Sequence, residues 1–424
     1  MHGRERVRRT IDRQPTDRAP IDLGSTAVTG IQATTYARLR QALGLPDEPV
    51  RIEEPFQLLA EVEEPVRQAL GIDTIGLWGR DTIFGFPNES WKPWNLPDGT
   101  PALVSEHFRF TVDEKGDTLI FPRGDTSAQP SGRLPRDGYY FDAIIRQQPI
   151  DEDHLDPEDW ADQFSVFTEE DLRDLETRSK RLHEDTEYSV VGGYGQAGVG
   201  DIAFVPGQNL ITPKGLRDPN VWYEYLALHP DYIGAIFQMW NENALKNLEL
   251  YRQAVGDRID VIFMGGTDFG GQQGPLVSPK MFRELWKPLY KQTNDWVHEN
   301  TNWKTFWHSC GSVARLLDDF VEMGVDILNP VQCSAVGMEA ETLKERWGDK
   351  LIFWGGSVDT QATMPFGTPE EVRAQAEERL RVLGRGGGLV FCSIHNIQAK
   401  SPVENVIAFF EAAKGEPIGT AASS

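Results

Sequence analysis

An α/β fold built as an eight-stranded parallel barrel, the (β/α)8 or TIM barrel, with a long insertion after its second strand, is the fold class that three observations predict. The chain has 424 residues, long for an ordinary domain and usual for a barrel of this kind with insertions. Eight short apolar runs recur along it, many of them β-branched, as strands buried on both faces require. Between the runs lie stretches with helical spacing and recognisable caps. Together these place residues 1–424 in one barrel domain, with an excursion over about 78–160 on the C-terminal face of the barrel.

The eight runs are Ala19–Leu23, Thr74–Leu77, Tyr188–Val191, Asp260–Met264, Lys304–Trp307, Asp326–Asn329, Leu351–Trp354 and Gly388–Phe391. Pro279–Glu299 carries Phe282, Leu285, Trp286 and Leu289 at helical spacing, and Pro288 is expected to kink or divide that helix. Ser312 is placed to cap a helix running to Met323, where Gly324 ends it. Thr368, Pro369 and Glu371 read as cap, first helical residue and third, a capping box. Gly384–Gly388 then turns the chain into the last strand.

Between about Trp78 and Trp160 the alternation breaks. This stretch is rich in Pro, Gly, Trp and Asp, and Phe108–Val112 and Thr118–Phe121 flank a turn, reading as a β-hairpin. Following the second strand, it is expected over the functional mouth as a lid or substrate-binding element. Its aromatics, Trp78, Trp91, Trp94, Tyr139, Tyr140 and Phe141, would either line a pocket or staple the excursion to the barrel. Gly415–Ser424 is a short low-complexity tail.

Composition narrows the function. Apolar residues at 39% suffice for a large core, and a net charge of −23 without a basic cluster argues against nucleic-acid binding. The arginines of Arg4–Arg18 are interleaved with Glu5, Asp12 and Asp17, which reads as a solvated helix and not a basic arm. There is no apolar leader and no run near the roughly 20 residues of a membrane span. Three cysteines in so long a chain suggest thiolate use in a reducing compartment. A cytoplasmic location is expected, with the oligomeric state open and a homo-oligomer among the outcomes.

Trp307-His308-Ser309-Cys310-Gly311 carries the strongest chemical signal. His308 and Cys310 are two apart at a strand end, so their side chains share a side, and the strand ends of a barrel open onto one face. A thiolate pair plus an imidazole suits Zn2+, with a fourth position open for catalysis. The second thiolate is Cys392 or Cys333, between which spacing does not choose. A helix beginning near Ser312 would direct its positive end at Cys310 and lower the thiol pKa. Further candidates at strand ends are Asp268 and His395 for catalysis, and Asn329, Gln332, Asp359 and Asn396 for substrate binding, with Tyr140 from the excursion. His395 beside a metal would serve as general acid on a leaving oxygen. Gly192-Gly193-Tyr194-Gly195 permits close approach of a ligand but lacks the context of a dinucleotide site.

Leu328-Asn329-Pro330-Val331-Gln332, Trp354-Gly355-Gly356-Ser357-Val358-Asp359-Thr360-Gln361, Pro365-Phe366-Gly367-Thr368-Pro369-Glu370-Glu371-Val372 and Ser393-Ile394-His395-Asn396-Ile397-Gln398 follow in order. This pattern resembles the uroporphyrinogen decarboxylase superfamily, and within it the cobamide-dependent zinc methyltransferase branch. The resemblance is densest over Asp260–Phe410, and Arg6-Val7 and Asp17-Arg18-Ala19-Pro20 fit it too. It implies the barrel, and it maps a His-x-Cys…Cys zinc motif onto His308, Cys310 and Cys392. It also implies a corrinoid (cobalamin) carried by a partner protein and a small methylated substrate. The favoured reaction is O-demethylation of an aryl methyl ether, the methyl passing to cob(I)alamin. One alternative is a methylcobalamin:thiol methyltransferase. Another is a uroporphyrinogen-type decarboxylase, disfavoured because Leu23–Gly30 stands where that branch has Arg-Gln-Ala-Gly-Arg-Tyr.

Overall fold

In the computed structural model, which describes residues 1–419, seven parallel strands form one sheet in strict chain order. They are β1 (Thr74–Leu77), β2 (Ser189–Gly192), β3 (Val261–Gly265), β4 (Lys304–His308), β5 (Ile327–Asn329), β6 (Ile352–Trp354) and β7 (Leu389–Val390). Sequential neighbours, all parallel and joined by helical crossovers, are the signature of the barrel. The expected first strand, Ala19–Leu23, is reduced to a bridge. Ile21 pairs with Phe391 beyond β7, and its carbonyl accepts from Asp73 N at the start of β1 (2.8 Å). It therefore links the two outer edges of the sheet. Pro20 has no N–H to extend the ladder.

Strand alternation sorts the side chains. Phe306 points into a cluster with Val191, Val261, Ile327, Ile352, Trp354, Val390 and Cys392, the filled interior of the barrel. Trp307, its neighbour, points outward, where its Nε1 donates to Asn294 Oδ1 (2.8 Å). His308 falls back on the interior side.

Helix α1 (Gly3–Ile11) closes one end of this interior, and the sequence reading of Arg4–Arg18 as a solvated helix needs correcting. Val7 and Ile11 are buried in the interior cluster. Arg6 is buried and pairs with Asp17 and Asp73, while Arg8 pairs with Asp260 and Arg18 with Asp73. Asp73 and Asp260 directly precede β1 and β3, so this is the N-terminal end of the strands. The buried partners of these arginines, Asp73 and Asp260, come from outside the stretch, while the interleaved Asp17 pairs with Arg6 at the surface.

Other expected elements form as follows. The long helix splits into Pro279–Leu285 and Lys287–Asn300, with Pro288 in the first turn of the second. Thr368 and Glu371 form a reciprocal capping box on Pro369–Leu383. Ser312 does not cap a helix: Leu317–Glu322 begins five residues later, and the Ser312 hydroxyl donates to Val336 O (2.5 Å).

The excursion folds as two small sheets. Trp91–Asn95 and Pro101–Ser105 pair antiparallel and join Val50–Glu54 and Leu59–Ala60, which precede β1. Phe110–Val112 and Thr118–Ile120 form the expected hairpin, extended by Gly132–Leu134 and Asp142–Ala143. Its aromatics mostly pack on one another. Phe141 lies against Phe84 and Phe108, Trp94 against Phe108 and Phe110, and Arg51 covers Trp91. Contacts to the loop after β2 come from Arg123 to Asn209 O, and from Arg146 to Leu210 O and Gly207 O. Among the described residues no helix is long and apolar enough to cross a membrane. Of the expected tail, residues 420–424 lie outside the described residues.

Candidate metal centre

Among the described residues, one group of three metal-binding side chains has its ligand atoms within 4.8 Å of one another: His308, Cys310 and His395. His308 ends β4, Cys310 lies two residues beyond it, and His395 lies in the turn after β7. All three thus sit at the C-terminal mouth, as strand-end placement predicts. Cys310 Sγ is 3.2 Å from His308 Nε2, and the two imidazole rings are 5.5 Å apart at 72°.

His308 is held in one orientation. In register it stands opposite Asn329 of β5. Asn329 Nδ2 donates to Trp354 O (2.8 Å), which turns Oδ1 toward His308 Nδ1 at 2.5 Å. Oδ1 can only accept, so the proton sits on Nδ1 and Nε2 keeps its lone pair for a ligand. Fixing the tautomer through the far ring nitrogen is how metal-binding histidines are commonly oriented.

The segment bearing Cys310 is held from both sides. Cys310 N donates to Asp268 Oδ1 (2.6 Å), Gly311 N to Gln332 Oε1 (2.8 Å) and Ser312 N to Gly271 O (2.8 Å). Backbones nearly touch here: a Cβ on Gly311, whose φ is +81°, would lie 2.2 Å from Gly270 O. Burial is the main force on the Cys310 thiol and pushes its pKa well up, with the carboxyls of Asp268 and Asp201 adding to the effect. The expected helix N-terminus is absent, so the expected lowering of that pKa does not arise. Burial, with His308 adding to it, lowers His395 to about 4. At neutral pH its ring is an uncharged imidazole, suited to ligation and not to giving up an imidazolium proton, against the expected role as general acid.

The remaining sequence candidates fall as follows. Cys392 is outside the group; its side chain belongs to the barrel interior, and burial raises its pKa. Cys333 packs against the core on the outer side, with Arg379 and Glu378 as charged neighbours. Asn329 and Gln332, expected to bind substrate, hold His308 and the Cys310 loop instead. Asn396 is fully buried and joined to Gly30 N, Ala27 O and Gln57 Oε1. Asp359 caps its own turn through Gln361 N. Tyr140 is 53% exposed. Asp268, with 37% of its side chain exposed, is 3.7 Å from His308 Nε2 and remains at the mouth.

Sequence reasoning missed Asp201. It is 6% exposed, in the irregular segment after β2, and raises the pKa of Cys310 and, with Asp268, of Tyr223. The glycines of 192–200 were its only signal.

Residues 216–415 match the family model described as "Uroporphyrinogen decarboxylase (URO-D)". That span holds all three donors and the residues that orient them. Over that span the chain is similar to the uroporphyrinogen decarboxylase family. The likeness of fold extends over the whole chain: a methyltransferase structure from Methanosarcina mazei superposes with a TM-score of 0.55 at 15% identity, covering 98% of this chain and 99% of that one. No curated protein matches the sequence.

Proposed function

We propose that this chain is a zinc-dependent methyltransferase of the uroporphyrinogen decarboxylase superfamily that takes a methyl group from a methylated small molecule, a methyl ether, and passes it to the cob(I)alamin of a separate corrinoid protein. The observation that carries the reading is the convergence of His308, Cys310 and His395 at the mouth of the barrel. Two imidazoles and a thiol suit zinc, and three protein donors leave a fourth position open. When bound, zinc supplies a Lewis acid that takes up negative charge on a departing oxygen. His308 and Cys310 keep their geometry through Asn329, Asp268 and Gln332. The methyltransferase name of the Methanosarcina mazei neighbour agrees in reaction class. The Asp268 carboxylate at the mouth favours a cation and disfavours the polycarboxylated substrate of a uroporphyrinogen decarboxylase. Because most aromatics of the excursion are taken up in its own packing, the donor panel must span alkyl as well as aryl methyl ethers.

The test is metal content and methyl transfer on the same preparations. Wild type is expected to retain stoichiometric zinc through gel filtration and to methylate cob(I)alamin from a methyl ether. Cys310→Ala and His395→Ala are expected to lose both properties, and Cys392→Ala to keep them. Zinc lost from Cys392→Ala and kept by His395→Ala would return the third position to Cys392. Absence of zinc, with transfer intact in Cys310→Ala, would sink the reading.

A further inference from the structure

We infer that Asp201 is the catalytic acid of this site, its carboxyl giving a proton to the oxygen that departs when the methyl group is removed. This rests on the methyl-ether reading above. Asp201 lies in the loop between β2 and helix Pro219–Leu228, upstream of the matched family span. That loop is pressed onto the end of β3: a Cβ on Gly265 would come 2.3 Å from the Cα of Gly198. Only glycine at 265 lets the loop dock so closely, and the docking carries Asp201 to the mouth.

The carboxyl is oriented by its own turn. Asp201 N donates to Gly198 O (3.1 Å), and Ala203 N donates to Oδ1 (2.9 Å). Oδ2 has no hydrogen-bond partner among the described residues. It points at the space left by the missing side chain of Gly266, where a Cβ would lie 3.3 Å from Oδ2 and 3.8 Å from His308 Cδ2. The open carboxyl oxygen and the ligand histidine therefore flank one small gap. The open carboxyl oxygen of a buried residue, facing a cleft without a partner, is placed for a ligand.

The nucleophile, reduced corrinoid, supplies the electron pair of the new bond to the methyl carbon. The C–O bond breaks with its pair remaining on oxygen. Oxygen takes the proton of Asp201, leaving the carboxylate, and solvent restores the acid. Asp201 thus fills the role that sequence reasoning gave to His395, whose ring belongs to the donor group. The titratable groups facing it are His308 across the gap, Asp268, Tyr223, Tyr290 and Cys310. Burial, with the nearby Asp268 charge adding to it, holds the Asp201 carboxyl at about 8, so it carries a proton at neutral pH.

Two measurements on Asp201→Asn test this, with zinc content matched to wild type. In infrared difference spectra at pH 7 without substrate, wild type is expected to show a protonated-carboxyl band that the variant lacks. In methyl transfer, the variant is expected to slow poor leaving groups, such as alkyl and unsubstituted aryl ethers, by about 100-fold or more. Nitro-substituted aryl ethers, whose oxygen departs without a proton, should change little. A missing infrared band, or an equal slowing across all leaving groups, would overturn the assignment. Wild type that methylates cob(I)alamin from no ether, its infrared band still present, would overturn the ether reading and the leaving-group role with it.

Discussion

His308 and Asp201 are both buried polar side chains at one mouth, and their surroundings set opposite states for them. Asn329 fixes the imidazole tautomer with one hydrogen bond, while Asp201 has one backbone donor and no basic side chain to favour its charged form. Its raised pKa has a consequence for stability. A carboxyl that titrates near 8 when folded and near 3.9 when unfolded keeps its proton in the native state while the unfolded chain releases it. Between those values the native state binds more protons, so stability falls as pH rises. Within the window from about pH 4 to about pH 8, Asp201 should contribute a loss on the order of 1 kcal/mol per pH unit. Chemical denaturation of wild type and Asp201→Asn from pH 5 to 8 is expected to show the variant's stability falling less steeply, and the variant more stable at pH 8. Parallel pH profiles would show that Asp201 is ionised in the folded protein. A more stable but less active variant is the trade-off expected of a group kept for function.

At the scale of elements, the loops after β3 and β4 form one unit through backbone contact at Gly270 and Gly311. An alanine at 311 would have to adopt a φ of +81° and meet Gly270 O at 2.2 Å. Gly311→Ala is therefore expected to cost about 3 kcal/mol or more, a strained conformation plus a clash, and to release zinc as Cys310 shifts. Gly274, in the same loop with nothing within 4 Å, is the control: Gly274→Ala should leave thermal unfolding and zinc content nearly unchanged. Equal effects of the two substitutions would count against a rigid crossing. The same crossing explains what was legible in the sequence. β1 through β7 show plainly as apolar runs because parallel strands are buried on both faces. His308 and Cys310 are legible because a two-residue spacing at a strand end has one geometric meaning. The cap at Ser312 was not, because Gly311 turns the chain away and Val336 O takes the hydroxyl. Cys392 and His395 are three residues apart, and spacing does not say which faces the mouth. The chain leaves β7 with Cys392 still in the barrel interior and presents His395 after the turn. Asp201 was invisible because it sits in an irregular loop, and the backbone packing of Gly198 on Gly265 positions it without any side-chain pattern.

For the whole molecule, the mouth bears the chemistry and the opposite end holds the barrel closed. Asp73 is the hub of that end. It is almost fully buried and accepts from Arg6 Nη1 (2.5 Å), Arg18 Nη1 (2.7 Å) and Ile21 N (2.8 Å). One carboxylate thus joins α1, the bridging segment at Ile21 and the start of β1. In Asp73→Asn the charge is lost and one carboxylate oxygen becomes an NH2 donor, so either Arg6 or the pair of Arg18 and Ile21 N faces a donor in place of its acceptor, a loss of about 3–5 kcal/mol for a broken buried pair. Asp295→Asn, which breaks the half-exposed pair Lys291–Asp295 on one helix, should cost less than about 1 kcal/mol. Asp73→Asn should therefore lower the unfolding midpoint far more than Asp295→Asn. It should also speed hydrogen exchange at Val7 and Ile21 before it does so at Phe306 in the barrel interior. If the midpoints fell alike, or exchange rose evenly across the strands, Asp73 would not be the closing point. Zinc content is expected to survive in Asp73→Asn below its unfolding temperature, because no ligand and no residue orienting one depends on that end of the strands.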